Sequence, residues 1–153
     1  EIMDSTIKII RVFIGSPSGL EVERRTAKRI VDEINESHAE HWGCQLKLVG
    51  WEATLPGNHR AQSLINRDLD KCQYFLGVLW DHWGSPPGGD SEFSSGFEEE
   101  FQRAQKRSED ELISDIAIFF KDVPAQQLKD AGPSLQRVID FRTSCIIQTK
   151  LAD

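Results

Sequence analysis

Apolar residues follow two alternating rhythms along this chain: short runs that are apolar on both faces, and longer stretches in which apolar positions recur every three or four residues. The first run, Ile7 to Ile14, reads IKIIRVFI. It is rich in β-branched residues and is bounded by Gly15-Ser16-Pro17-Ser18-Gly19, the pattern of a central strand. Ala27, Ile30, Val31 and Ile34 then recur at helical spacing. Ser18, with Glu21 three residues later, forms a candidate capping box, and a helix is predicted over 20–37. A second strand is predicted from Gln45 to Trp51. The turn Leu55-Pro56-Gly57-Asn58 leads into a helix with Ala61, Leu64, Ile65, Leu69 and Cys72 on one face, and Tyr74 to Trp80 reads as the third strand. A loop rich in Pro, Gly and Ser precedes a helix opening at Ser95. A fourth buried strand follows over Ile113 to Phe120, where Ile116-Ala117-Ile118-Phe119-Phe120 shows no polar alternation. Helical turns are expected near 124–129 and 133–141, and Cys145-Ile146-Ile147 is expected to form a fifth strand.

Strands and helices that alternate with short connections, with strands apolar on both faces, predict a parallel sheet joined by right-handed crossovers. The expected fold is α/β: a flavodoxin-like three-layer sandwich with a parallel sheet of about five strands, in one domain over 1–153. In such folds ligands bind beyond the carboxyl ends of the strands. The site is therefore expected among loops 15–19, 51–58 and 80–96.

Length and composition are consistent with this picture. A chain of 153 residues with 39% hydrophobic content can bury one core. No stretch approaches the roughly 20 apolar residues needed to span a bilayer, and the first residues lack a basic segment followed by an apolar one, so no membrane is expected as a partner. A formal charge of −7 with no long basic run argues against nucleic acid. Cys44, Cys72 and Cys145 are odd in number and show no paired spacing, which predicts a reducing, cytoplasmic setting. His38 and His41 lack the further ligands a metal site needs, and no metal is expected.

The helix opening Ser95-Gly96-Phe97-Glu98-Glu99-Glu100-Phe101 carries three carboxylates with different expected fates. Ser95 and Glu98 have capping-box spacing, so Glu98 is expected to reach back to the Ser95 backbone and offset the helix dipole. Phe97, Phe101 and Ala104 share the buried stripe, and Glu99, about opposite, is expected in water. Glu100 falls about 60° from the stripe's centre, at the border between core and cleft. Burial there raises its proton affinity and helix amides lower it, and the sequence alone does not say which prevails.

Three groups of residues, in this order and spacing, resemble a known family: Arg11-Val12-Phe13-Ile14-Gly15-Ser16-Pro17-Ser18-Gly19-Leu20 with Glu23-Arg24 just beyond; Gln62 and Ile65 leading to Cys72-Gln73-Tyr74-Phe75-Leu76-Gly77; and Gly84 followed by Ser95 to Glu100. The chain resembles, over nearly its whole length, the TIR-like domains, formerly of unknown function, that sit at the N-terminus of large STAND or NACHT-type NTPases. It is more distantly similar to TIR NADases and nucleoside 2-deoxyribosyltransferases. These place a glutamate four residues before a small or aliphatic helix residue, which here is Glu100 ahead of Ala104. The sequence departs from common members at Gly15, where many have serine, and at Trp80-Asp81-His82-Trp83, where Tyr or Arg is frequent.

The resemblance implies an effector domain that cleaves the nicotinamide–ribose bond of NAD, with Glu100 as the catalytic carboxylate. NAD is then a substrate, and no resident cofactor is implied. It further implies activation by homo-oligomerisation, C-terminal sensor and NTPase domains of the same chain as partners, and a role in immunity or cell death such as antiphage defence. The present chain would be an N-terminal fragment of that larger protein. Trp51, Trp80 and Trp83, at or after strand ends, are candidates to stack on adenine or nicotinamide, with Trp80 first. Gly15 and Ser16, with Gly19, are candidates to bring backbone amides close to a diphosphate, and Ser95 stands at the mouth of the same edge. Arg24 and Arg25 can steer phosphate or lie solvated on a helix face. The alternatives are a non-catalytic TIR-like assembly module, a nucleoside 2-deoxyribosyltransferase-like enzyme and, more remotely, a flavin binder.

Overall fold

The computed structural model describes residues 6–54 and 60–152, with side chains over 6–52 and 60–146. In chain order its elements are β1 (Lys8–Gly15), α1 (Glu21–Trp42), β2 (Cys44–Val49), a 3-10 turn (Trp51–Thr54), α2 (Gln62–Leu69), β3 (Tyr74–Leu79), α3 (Gly96–Glu109), β4 (Asp115–Phe120), α4 (Ala125–Lys129) and α5 (Pro133–Ala152). The strands form a parallel sheet in the order β2-β1-β3-β4, which is the flavodoxin-like order without its last strand. The α/β class is as expected. The described residues give four strands rather than about five.

The missing strand has a physical cause. Cys145-Ile146-Ile147 continues α5, because neither Gly nor Pro interrupts the chain after Pro133 and extending an existing helix is cheaper than nucleating a new element. Leu135, Val138, Phe141 and Cys145 recur at helical spacing, and the first two are buried. For the same reason α1 runs on to Trp42, where Gly43 takes the left-handed conformation (φ 68°) and its N–H bonds to the Ala39 carbonyl. The expected Ser18 cap does not form. Leu20 is the N-cap, Ser18 is exposed, and Glu21 Oε1 instead accepts from Gly19 N–H at 3.1 Å, one residue beyond the expected Ser18. The expected turn over 55–58 lies outside the described residues.

Register organises the core in rows across the sheet. Val49, Phe13, Phe75 and Ile116 lie side by side on one face, and two residues further along so do Gly15, Gly77 and Ile118. Phe13 and Phe75 are 1% exposed and stack at 5.8 Å between ring centroids. The two glycines leave a trough into which α3 settles. A Cβ on Gly77 would stand 3.1 Å from the Phe97 ring, and one on Gly15 would stand 2.8 Å from Glu100 Oε2. Trp83, Phe97, Leu135, Val138 and Ala104 complete this core, with Phe141 of α5 packed edge-on against the rings. On the opposite face α1 packs against β2 and reaches the end of β1 through Arg24. β4, expected to be buried on both faces, therefore alternates, and Phe119 is 60% exposed.

Candidate functional site

Ser95 starts α3 in the expected way, its Oγ accepting from Glu98 N–H at 3.0 Å in a fully buried position. The carboxylate of Glu98 reaches back one residue further than expected, accepting from Ser94 N–H and Ser94 Oγ, and it also pairs with Arg137. Glu99 is half-buried rather than in water, with Ser91 Oγ donating to it at 3.3 Å. Four residues into α3, Glu100 points the other way, onto Gly15 at the carboxyl end of β1. The absence of a Cβ there is what gives its carboxylate room.

Glu100 is 8% exposed. Burial raises its proton affinity, and the positive charge of Arg24 and a 3.5 Å hydrogen bond from Gln62 Nε2 lower it. Burial prevails, and the carboxyl is pushed up to about 7. Arg24 is itself 6% exposed, within the apolar stripe of α1. Its Nε donates to Ser16 Oγ (2.7 Å), one terminal nitrogen to the Ser16 carbonyl (2.8 Å), and the other to the carbonyls of Gly50 (2.7 Å) and Ile14 (3.4 Å). One guanidinium thus ties the loop after β1 to the end of β2 and holds a fixed positive charge near Glu100.

Glu100 and Arg24 share a cleft of about 470 Å³ with Phe13, Val49 and Gly50 of β1, β2 and the turn beyond, and with Ile65 of α2. That volume suits a ligand of nucleotide size. Of the other expected site residues, Gly15 and Ser16 lie at this edge, Gly15 under the carboxylate and Ser16 held by Arg24. Trp51 follows Gly50, with Lys28 Nζ 5.7 Å from its ring centroid. Trp80 is capped by Lys121 at 4.0 Å and donates to the Asp122 carbonyl. Trp83 is 6% exposed in the core, donating to Ser94 Oγ. None of the three tryptophans lines the cleft.

Arg24, expected to steer phosphate or lie solvated on a helix face, is instead a buried tie. The signal that announces it is a charge standing among Leu20, Ala27, Val31 and Ile34 on one helical stripe, a position that solvated arginines avoid. The pairing of Gln62 with Glu100 joins residues 38 apart, and no local pattern announces it.

These features define a class: a parallel α/β domain with a buried acid and, near it, a buried arginine that ties two loops together, in a cleft at the carboxyl edge of its sheet. The chain belongs to the family described as "Domain of unknown function (DUF4062)", whose pattern matches residues 11–146. No curated protein and no solved structure matches it.

Proposed function

We propose that this domain is a TIR-like effector that cleaves the nicotinamide–ribose bond of NAD, with Glu100 as its catalytic residue. Nicotinamide leaves as a neutral base from a cationic precursor, so its departure needs little acid assistance. The barrier lies in the positive charge that builds on the ribose ring as the bond breaks. A carboxylate fixed beside that ring stabilises the developing charge, and it does so more strongly in a cleft partly withdrawn from water. Water then captures the ribosyl carbon to give ADP-ribose, and an internal nucleophile would give a cyclised product. In this scheme Gln62 positions the carboxylate and Arg24 keeps the cleft walls together.

The observation that supports this reading is the carboxylate of Glu100: buried, its proton affinity raised, and directed into a nucleotide-sized cleft at the edge where α/β folds bind ligands. The domain is proposed to act in the cytoplasm, to be switched on by oligomerisation of sensor and NTPase domains in the same protein, and to serve immunity or cell death. The test is chromatography of NAD incubated with the full-length, oligomerised protein. Nicotinamide is expected from the wild type and a loss of at least about 100-fold from Glu100→Gln. Equal release by the two proteins sinks the assignment.

A further inference from the structure

The far end of the same cleft carries a feature that Glu100 does not explain. Arg11 on β1 and Lys47 on β2 are register partners, both line the cleft, and adjacent strands lie only about 4.8 Å apart. Like charges placed opposite each other destabilise a strand pair. Among the described residues neither side chain has a hydrogen bond or ion pair to offset this. Lys71, in the turn after α2, lines the same region and also has no such partner among the described residues. Of the acids nearby, Asp68 is already paired with Arg60, and Glu52 has contacts of its own. In a chain of net charge −7, three uncompensated cations converging on one concavity lower the energy of an anion bound there.

We propose that Arg11, Lys47 and Lys71 form a phosphate subsite, on which the diphosphate of the dinucleotide lies while its ribosyl carbon stands at Glu100. The identity of this ligand rests on the proposed NAD cleavage. The spacing suits it: Arg11 is four residues before Gly15 on an extended strand, so the cationic end lies roughly 13 Å from the carboxylate end, less the reach of the side chains. Arginine offers a planar fork for two phosphate oxygens and lysine a mobile point charge. The apolar floor between the cationic end and Glu100, made by Phe13 and Val49, is left for sugar and base.

The test is calorimetric titration of the full-length protein with inorganic pyrophosphate, ADP-ribose and adenosine, repeated with Lys47→Glu and Lys71→Glu, both on exposed side chains. Pyrophosphate is expected to bind and to compete with ADP-ribose. Each substitution should weaken both ligands about 10-fold, leave adenosine unmoved, and reduce the dependence on salt. Failure of pyrophosphate to bind, or affinities that ignore both substitutions, overturns the subsite. Nicotinamide release from the same preparations separates the two proposals. Pyrophosphate binding that Lys47→Glu weakens, in a protein that releases no nicotinamide, keeps the subsite and removes the glycosidic reaction. Nicotinamide release with a KM indifferent to both substitutions does the reverse.

Discussion

Burial disfavours an ionised carboxylate and a nearby guanidinium favours it, and at Glu100 the two compete within one cleft. In the unfolded chain this residue ionises near its ordinary value of 4.5, whereas in the folded protein it keeps its proton to about 7. Below pH 4.5 both states are protonated and burial of the carboxyl carries no ionisation cost. Between 4.5 and 7 the unfolded state gives up a proton that the folded state retains, so stability falls. Above 7 the loss is complete, at roughly 3 kcal/mol. Glu100→Gln, of the same shape and without charge, is therefore expected to be more stable than wild type at pH 8 by up to about 3 kcal/mol and nearly equal to it at pH 4, as read by urea unfolding. Equal stability at pH 8 would mean that the side chain is not desolvated. The rate follows the same ionisation. Because the carboxylate is the active form, kcat/KM for NAD is expected to rise through a midpoint near 7 and then level off, and a profile flat from pH 5 to 9 would exclude Glu100 as the group being titrated.

Among the elements, α3 owes its depth to two glycines on neighbouring strands and its direction to the Ser95 cap. The loop after β1 and the end of β2 share a single brace in Arg24. Replacing Arg24 with Met leaves the Gly50 and Ser16 carbonyls without their donor and removes a positive charge near Glu100. The expected cost is about 1–3 kcal/mol in chemical denaturation, together with a pH–rate midpoint shifted upward. A stability loss without that shift would reduce Arg24 to a purely structural tie. The helix-opening Ser95, the apolar runs of β1 and β3, and the spacing of the α1 stripe were legible because each depends on neighbours within a turn or two. The partner of Glu98 was misplaced by one residue because the choice between the Ser94 and Ser95 amides depends on the loop's path, which Arg137 of α5 helps to fix.

At the scale of the whole molecule, the sheet is covered unequally. Helices α2, α3 and α5 pack on one face, and β4 is left open on the other, with Phe119 at 60% exposure against 1% for Phe75. Phe119→Ser is expected to change the unfolding free energy by less than about 0.5 kcal/mol, and Phe75→Ala to cost about 3–5 kcal/mol in the same urea titration. A large loss at Phe119 would show that its face is covered in the protein. The order of strands and helices, the parallel sheet and the placement of Glu100 at a core border follow from periodicity and breakers along the chain, since these act through the local backbone. Which face α5 would choose, the burial of Trp83 among phenylalanines, the approach of Gln62 to Glu100 and the meeting of Arg11 with Lys47 join residues tens of positions apart. They were settled by packing and register, and no local pattern encodes contacts made across the sheet.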